Sequence, residues 1–319
     1  MGGGTDRAAR LSAAHPAVLA AIDCGTNSTR LLVTGADGVT LDRRMRITRL
    51  GEGVDANRTL SPGAIGRTLE VLAGYRSTID SFGAARLRAV ATSAVRDAGN
   101  GGEFLERAAA VLGVEPEVLA GDAEGELSYR GATGGLPPGG GPYMVVDVGG
   151  GSTEIVTSAP AGSEGLATAS LDVGCVRITE RFLRHDPPLP VEMSGAGGAV
   201  RDLVLGACRA EPRFESPAAL IGLAGTVSTL AMIDLGLVSY DRRQVHHHRL
   251  TLETIERLLS LLASVPAPER AGVPGLEPGR VDVIAGGAIV LSVLMATLGH
   301  ESLLVSESDI LDGIVASLR

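Results

Sequence analysis

The sequence predicts an α/β protein built from two related domains, and three observations support this prediction. The motif D-x-G-x-x-S-T occurs twice, beginning at Asp23 and again at Asp147. In both halves of the chain, short apolar runs rich in β-branched residues alternate with longer helical patterns. A chain of 319 residues is also long for a single core and suits two domains. Strands that alternate with helices in each half indicate layered α/β domains.

The composition excludes several classes of protein. The formal net charge of −9 argues against general nucleic-acid binding, and 3% aromatic residues without tryptophan offer no platform for base stacking. No apolar stretch approaches the ~20 residues that cross a membrane, so we expect no membrane association. The three cysteines, Cys24, Cys175 and Cys208, are too few for a disulfide framework, which predicts a reduced, cytoplasmic protein.

Glycine and proline indicate the domain boundaries. Residues 1–16 are glycine-rich at their start and lack the apolar region of a signal peptide, so we predict a disordered tail. The strongest structure-breaking stretch, 134–142, predicts a crossover between domains. We therefore predict a first domain at 17–138 and a second at 139–306. The terminal helix within 307–319 could pack on either domain, the first being our assignment.

The elements of the first half follow from local signals. The first motif predicts two strands joined by a tight turn, and a third strand continues from Val39 to Leu50. Ser61 is an N-cap before Pro62 at the first helical position, which opens a helix to about Ser81. The other elements predicted in this half are a strand at 87–91, a helix at 103–112, a strand at 115–119 and a helix from residue 121.

The second half opens with the repeated hairpin. Further strands are predicted at 167–173, 220–224 and 303–305. Helices are predicted after Gly174 and at 191–208, 226–235, 252–263, 280–298 and 309–318.

The repeated hairpin itself predicts chemistry. A tight glycine turn between strands directs main-chain N–H groups and short hydroxyls into one small space, which suits phosphate oxygens. The adjacent carboxylate suits a hydrated divalent cation. Two such hairpins predict a phosphorylated ligand held between two domains. Because the chain is acidic overall, the phosphate site must be made locally positive by arginines, N–H groups and metal.

Six segments together resemble the exopolyphosphatase and guanosine pentaphosphate phosphohydrolase (Ppx/GppA) family, and the similarity extends from about Val18 onward. They are the hairpin with DCGTNS, ATSAVRDA at 91–98, VDVGGGSTE at 146–154, DVGCVRITERF at 172–182, GLAGTVSTL at 222–230 and GRVDVIAGGAIVL at 279–291. The resemblance implies two ribonuclease-H-like domains of the actin, sugar-kinase and heat-shock ATPase superfold, with the active site in the cleft between them. The chain resembles the short two-domain form, and the resemblance implies a homodimer.

The resemblance also implies a water-activating glutamate. The sequence G-D-A-E-G-E-L places Glu124 at the second acidic position of the family's G-x-E-E-[AG]-x-L motif, while Ala123 replaces the first acidic residue. Asp122 or Glu126 could hold the role instead, because both lie within one helical turn of Glu124. Acidic residues near a helix N-terminus could also simply complement its dipole.

The second hairpin implies the metal site, and the first implies phosphate contacts. Asp147 and Glu154 are the predicted Mg²⁺ ligands, because Mg²⁺ takes one or two carboxylates together with substrate oxygens. The predicted phosphate-binding residues of the two hairpins are Asp23, Gly25, Thr26, Asn27, Ser28, Gly149, Gly150, Gly151, Ser152 and Thr153. A glycine-rich hairpin that is only a tight turn is the alternative interpretation.

Several positive or polar residues complete the predicted site. Arg30 occupies in the first copy the position that Glu154 holds in the second, which suggests that arginine faces anion and glutamate faces cation. Arg96 is a candidate phosphate clamp, since guanidinium binds phosphate in a bidentate manner, although it could be an ordinary ion-pair residue. Further contacts are predicted at Gly225, Thr226 and Arg280, of which Arg280 could equally be a cap partner, and at the N–H groups of the helix that follows Gly174.

Two other features receive structural interpretations. Cys175 is predicted to be a small packed residue, because hydrolysis by water needs no thiolate. The run His246-His247-His248 is predicted to be a solvent-facing or interface loop, since consecutive histidines cannot all turn to one ion.

These observations leave three hypotheses. The first is a Mg²⁺-dependent hydrolase that releases terminal orthophosphate from inorganic polyphosphate, with guanosine pentaphosphate as the alternative substrate. The second is an ATP-using kinase or ATPase of the same superfold. The third is a non-catalytic sensor of polyphosphate or alarmone, which Ala123 keeps open.

Overall fold

A computed structural model describes residues 17–137, 140–158, 165–216 and 218–319, so the predicted tail at 1–16 lies outside the described residues. The described strands are β1 Leu19–Cys24, β2 Ser28–Thr34, β3 Thr40–Ile47, β4 Arg86–Ala91, β5 Glu117–Val118, β6 Tyr143–Val148, β7 Thr153–Ser158, β8 Leu166–Leu171, β9 Ala219–Leu223, β10 Arg249–Thr251 and β11 Ser302–Val305. The described helices are α1 Val54–Asn57, α2 Pro62–Ser81, α3 Ser93–Arg96, α4 Gly101–Leu112, α5 Gly121–Thr133, α6 Cys175–Phe182, α7 Pro190–Ala210, α8 Ala224–Asp234, α9 Arg242–Val245, α10 Leu252–Ala263, α11 Ala267–Arg270, α12 Ile284–Leu298 and α13 Ile310–Ala316.

The strands form two sheets with the same internal order. The first sheet runs β3-β2-β1-β4-β5, with β1 antiparallel to β2 and parallel to β4. The second runs β10-β11-β9-β6-β7-β8, so β8-β7-β6-β9-β11 repeats the first order and β10 is an added edge strand. The sequence repeat is therefore a structural repeat, and the predicted fold of two ribonuclease-H-like units is confirmed.

The register of the two hairpins aligns the repeated motifs. Asp23 pairs with Arg30 across β1 and β2, and Asp147 pairs with Glu154 across β6 and β7. Each motif aspartate is thus one residue from the end of a buried strand, next to its glycine turn.

Each sheet is covered by helices that bury apolar side chains. In the first half, α2 begins as predicted: Ser61 accepts a hydrogen bond from the N–H of Ala64 at 3.2 Å, and Pro62 is the first helical residue. In the second half, α12 is buried along most of its length and packs against α6, α7 and α10. Continuous burial accounts for its nearly unbroken apolar sequence.

Two helices connect the halves. Helix α5 follows the first sheet in sequence but packs against β7 and β8 of the second, while the terminal helix α13 packs against β1 and β2 of the first. The two helices also pack on each other at glycines. A Cβ at Gly131 would lie 1.8 Å from the carbonyl oxygen of Asp309, and one at Gly313 would lie 2.0 Å from that of Leu127. Only glycine permits this backbone approach.

Sequence patterns missed a few short elements and one helix start. Strand β10 and the four-residue helices α1, α3, α9 and α11 were not predicted. The helix predicted from residue 280 begins at Ile284, because Pro278–Arg280 form a separate 3₁₀ turn. In the described part of the chain, no helix combines the length and apolar character needed to cross a membrane.

Candidate active site

A cavity of about 70 Å³, here called the inner cavity, lies where the two glycine hairpins meet. Most of the predicted site residues line it: Asp23, Gly25, Thr26, Asn27, Ser28, Arg30, Glu124, Asp147, Gly149, Gly150, Ser152, Gly225 and Arg280. The other predicted residues, Arg96, Gly151, Thr153, Glu154 and Thr226, lie outside that lining, and their contacts are described below.

The two hairpins touch each other directly. A Cβ at Gly150 would lie 2.8 Å from Cβ of Thr26 and 3.2 Å from the backbone nitrogen of Asn27. A Cβ at Gly151 would lie 2.7 Å from Oγ of Ser93, which itself hydrogen-bonds Oγ1 of Thr26 at 2.8 Å. The missing side chains of the glycine loop therefore allow the second hairpin to close on the first.

The backbone of the second hairpin, Gly149–Ser152, turns its carbonyls toward α6. The N–H groups of Cys175 and Val176 donate to the oxygens of Gly149 and Gly150 at 2.9 Å. A planar trans peptide points its C=O and N–H in opposite directions, so the N–H groups of residues 150–152 point away from α6. No residue in the described part of the chain accepts a hydrogen bond from them. Because Gly150 and Ser152 line the inner cavity, these donors suit an anion bound there.

The N–H groups of α6 thus support the loop, whereas we predicted that they would face the cleft. That prediction was wrong, because the carbonyls of the glycine loop occupy these donors.

The first hairpin is supported in the same way by the loop that follows β3. The oxygen of Thr26 accepts from the N–H of Gly51 at 2.8 Å, and the oxygen of Asn27 accepts from the N–H groups of Thr48 and Arg49. The side-chain amide nitrogen of Asn27 is buried and has no partner among the described residues. An unpartnered buried donor beside a donor array suits an acceptor atom of a ligand or of water.

Asp147 and Glu154 form a buried acidic pair. Asp147 accepts a hydrogen bond from Ser128 at 2.8 Å, and Glu154 accepts one from Ser170 at 2.8 Å. Burial raises the pKa of Asp147. Burial, reinforced by the charge of Asp147, raises the pKa of Glu154 to about 8. Two adjacent buried carboxyls without a cationic side chain bonded to them call for positive charge from a ligand.

The equivalent pair in the first hairpin is neutralised within the protein. Arg30 donates to Asp23 from Nη2 at 2.6 Å and from Nε at 3.0 Å, and its Nη1 reaches Asp309 at 2.6 Å. Arg43 also contacts Asp309, at 2.7 Å. The second oxygen of Asp23 is buried and has no hydrogen-bond partner among the described residues. Sequence reasoning missed Asp309, because its link to Arg30 crosses most of the chain.

Glu124 lies at the start of α5 with its side chain 12% exposed. Burial, followed by the charge of Glu154, raises its pKa well above the usual range. Arg96 lies 3.4 Å from the Glu124 carboxylate and donates to the oxygen of Leu119 at 2.7 Å. Neither alternative carboxylate lines the cavity: Asp122 is exposed, and Glu126 lies 3.5 Å from Arg130.

The donor set fits a divalent cation held partly by water and substrate. Within the described ranges, no three histidine, cysteine or acidic side chains are placed to ligate one ion together. Mg²⁺ usually takes only one or two carboxylates and completes its shell with water and phosphate oxygens. The acidic pair with raised pKa values and the unpartnered oxygen of Asp23 match that requirement.

A second space of about 550 Å³, here called the outer cavity, adjoins the inner one at Arg30, Ala224, Gly225 and Arg280. The charged side chains that line it are Arg30, Arg43, Arg44, Arg242, Arg280, Glu277, Glu307 and Asp309. Guanidinium groups outnumber carboxylates there, whereas carboxylates outnumber guanidinium groups in the inner cavity. Arginines are thus in excess in the lining of the outer cavity, as expected for a polyanion, although Arg43 and Arg44 also pair with Asp312 and Asp42 outside that lining.

The boundary between the two cavities is tightly built. A Cβ at Gly225 would lie 2.0 Å from Cζ of Arg280, so this arginine needs the glycine beside it. Arg280 also bonds Glu277 at 3.0 Å, which makes it both a cavity residue and an ion-pair partner. Thr226 is buried against α12, where a Cβ at Gly287 would lie 2.4 Å from its hydroxyl. Cys175 lines the inner cavity as a buried thiol.

The remaining predicted features have local roles. The hydroxyl of Thr153 donates to the oxygen of Val173, which ties the hairpin to the segment before α6. His246 accepts from the N–H of Glu307 at 3.1 Å, His247 is exposed, and His248 lies 2.9 Å from Asp234. Thr92 and Ser93 line the inner cavity and were not predicted, although short hydroxyls directly after a buried strand were a usable signal.

Several known proteins are similar to this chain in sequence and in fold. Exopolyphosphatase 2 of Mycobacterium tuberculosis is 43% identical over 316 residues, covering 94% of this chain and 98% of that protein. A crystal structure of an exopolyphosphatase-like protein is 34% identical with a TM-score of 0.89, covering 94% of this chain and 98% of that one. The Ppx/GppA family member of Aquifex aeolicus is 32% identical with a TM-score of 0.77, covering 95% and 97%.

A model of the Ppx/GppA phosphatase family matches residues 33–319. The match spans most of the chain, although β1 and nearly all of β2 precede it, and the two named relatives are covered almost completely. The chain therefore belongs to the Ppx/GppA phosphatase family.

Proposed function

We propose that the protein is a Mg²⁺-dependent exopolyphosphatase that releases terminal orthophosphate from inorganic polyphosphate. One observation carries the proposal: unpaired donors of two facing hairpins line one small cavity together with Glu124 and with Asp147, whose buried partner is Glu154. Donors for phosphoryl oxygens, a cation site and a candidate base are the components that phosphoanhydride hydrolysis requires. The name of the Mycobacterium tuberculosis relative supports the same substrate.

In this proposal the hairpins bind the terminal phosphoryl group. The N–H groups of residues 150–152 and the amide of Asn27 donate to its oxygens, with Thr26, Ser28 and Ser152 hydroxyls nearby. These donors are fixed by carbonyl contacts on their far side, so they require little reorganisation when charge develops on the phosphoryl oxygens.

Asp147 and Glu154 would hold Mg²⁺, with Asp23 behind them through water. The ion would supply positive charge to the phosphoryl oxygens and compensate the buried carboxylates. Thr153 and Thr226 would act indirectly, by fixing the hairpin and α8.

Glu124 would orient the attacking water and accept its proton. Its pKa is raised in the protein alone, so positive charge in the site must favour its ionised form during turnover. Arg96, 3.4 Å away, supplies part of that charge. Positioned bases of this kind contribute about 10²–10⁴-fold to rate.

The outer cavity would receive the rest of the substrate. Its arginines suit the phosphates that follow the terminal one, and its volume of about 550 Å³ also leaves room for a nucleoside. Guanosine pentaphosphate, hydrolysed at its 5′ end, is therefore the second candidate substrate. The outer cavity is also lined by apolar residues such as Met45, Met232 and Leu276, which suit a nucleoside and support this second candidate substrate.

The experiment that tests the proposal measures orthophosphate release from long-chain polyphosphate, guanosine pentaphosphate and ATP in parallel, each with Mg²⁺. Release from polyphosphate at the highest kcat/KM supports the proposal, and preference for the alarmone supports the second candidate. Phosphate transfer from ATP to an acceptor would support a kinase, while binding without release from any substrate would support a sensor. A homodimer and a cytoplasmic location remain predictions, which sedimentation velocity and cell fractionation test.

A further inference from the structure

Arg177, on the first turn of α6, makes an unusual set of contacts for a nearly buried arginine. Only 5% of its surface is exposed. Its Nε donates to the oxygen of Gly151 at 2.7 Å, within the glycine loop of the second hairpin. Its Nη2 pairs with Asp97 and its Nη1 with Asp55 at 3.2 Å, and both carboxylates belong to the first half of the chain. One side chain therefore joins the glycine loop to the opposite half.

The same side chain completes the support of the loop. The N–H groups of residues 175–177 hold the oxygens of Gly149 and Gly150, and Arg177 Nε holds the next oxygen, that of Gly151. Because each peptide is planar, that last contact sets the direction of the N–H of Ser152. A Cβ at Gly174 would lie 2.5 Å from the oxygen of Gly150, so α6 seats directly on the loop.

Asp97, in the first half of the chain, is next in sequence to the arginine that contacts the candidate base, Glu124. Asp97 follows Arg96 in sequence, and these two residues end the short helix α3. Arg96 lies beside Glu124, whereas Asp97 pairs with Arg177. The segment thus links the position of Glu124 to the position of the glycine loop. A second bridge lies further out, where Arg181 of α6 bonds both oxygens of Asp55 at 2.5 and 2.6 Å.

We propose that Arg177 is a positioning residue that holds the Gly149–Ser152 loop in its anion-binding form only while the two halves are closed on each other. The inference rests on the proposed phosphate-binding role of that loop. Separation of the halves would take Asp97 and Asp55 away from Arg177 and leave it only the exposed Asp172, which lies 3.7 Å from its Nη1. The guanidinium would then be free to turn to water and release the oxygen of Gly151. Closure and formation of the donor array are then one event.

The test compares Arg177→Ala, Arg177→Lys and Arg181→Ala with wild type by orthophosphate release from polyphosphate, normalised to folded protein. Arg181 is the matched control, because it bridges to the same Asp55 without touching the loop. Misplacement of a phosphate-binding group by about 1 Å costs on the order of 10²-fold. We expect Arg177→Ala to lower kcat by about that factor, with a smaller change in KM, and millimolar guanidinium to restore part of the loss.

Lysine has no planar fork that can donate to Gly151 and Asp97 together, so Arg177→Lys should remain at least about tenfold below wild type. Arg181→Ala should stay within about threefold of wild type and show no response to guanidinium. Full activity of Arg177→Lys, or a loss in Arg177→Ala that guanidinium does not relieve while the protein is folded, would overturn the proposal.

A binding measurement separates this inference from the proposed function. If the wild-type protein releases no phosphate from polyphosphate, the proposed activity fails. Calorimetric titration with tripolyphosphate then tests the positioning role of Arg177 by itself. The inference holds if Arg177→Ala weakens tripolyphosphate binding at least tenfold more than Arg181→Ala does. Equal affinities of the two variants would refute it.

Discussion

Asp147 and Glu154 lie directly opposite each other on the antiparallel β6–β7 ladder, and both carboxyls are buried. The corresponding pair in the first hairpin is Asp23 with Arg30, which neutralise each other at 2.6 Å. One position of the repeat thus carries opposite charges in its two copies. Among the described residues only serine side chains bond the two carboxyls of the second hairpin, and their pKa values are raised by burial, so the two hairpins differ in chemical character.

The first prediction concerns metal-free stability. Burial raises the pKa of Glu154 to about 8, so the folded protein keeps a proton that the unfolded chain releases near its ordinary pKa of about 4.5. This group's stabilising contribution is complete below about pH 4.5 and is lost as pH rises toward 8. We expect Glu154→Gln to raise the melting temperature of metal-free protein at pH 8 more than at pH 5. Equal shifts at the two pH values would contradict the assignment.

The second prediction concerns metal binding. Mg²⁺ competes with the protons that the acidic pair holds, so its stabilising effect should grow as pH rises from 6 to 8. Thermal melts of wild type with Mg²⁺ and with chelator should differ more at pH 8. The difference should shrink in Asp147→Asn and persist in Asp241→Asn, a half-buried aspartate that caps α9 and lines neither cavity. An Mg²⁺ shift that is unchanged in Asp147→Asn would place the ion elsewhere.

The third prediction concerns the contact between hairpins. Gly150→Ala places a methyl group 2.8 Å from Cβ of Thr26 and must push the two loops apart. We expect kcat/KM to fall by about 10²-fold while the protein remains folded. The control is Gly102→Ala on α4, where a Cβ meets no atom within 4 Å and should stabilise the helix by up to about 1 kcal/mol. Retained activity in Gly150→Ala would show that close approach of the hairpins is unnecessary.

The fourth prediction concerns the outer cavity. Arg44 and Arg242 line it but do not line the inner cavity, where the proposal places the terminal phosphate. Exposed charge pairs contribute about 0.2–1 kcal/mol each, so Arg44→Gln with Arg242→Gln should raise KM several-fold for long-chain polyphosphate and less for tripolyphosphate. Arg107→Gln with Arg257→Gln also removes two positive charges, on α4 and α10 outside both cavity linings, and serves as the control. The same factor for both substrates would exclude the outer cavity as the path of the chain.

The sequence predicted the repeat because both copies obey the same local rules: a buried strand, a glycine turn and a second strand. The boundaries of α2 and α10 follow from Ser61-Pro62 and from the side chain of Thr251, which accepts from the N–H of Thr254. Short elements such as β10 were not predicted, because a strand of three residues is too short to show a periodic pattern in the sequence.

Long-range contacts could not be predicted in the same way. The exchange of α5 and α13 between sheets depends on backbone approach at Gly131 and Gly313, which sequence does not distinguish from ordinary helix glycines. Arg30 was predicted to face an anion, and the structure places Asp23 and Asp309 on its guanidinium. The ion pair between Arg177 and Asp97 likewise joins residues that lie far apart in the chain.

The most direct test of the central claim is orthophosphate release from long-chain polyphosphate by wild type, Glu124→Gln and Glu126→Gln, with Mg²⁺ and with chelator. Glu126 is on the same helix but outside the inner cavity, so it controls for a general effect of lost charge. We predict a loss of about 10²–10⁴-fold in Glu124→Gln, near-normal rates in Glu126→Gln and no release after chelation. Wild-type rates in Glu124→Gln would contradict the assignment of the base.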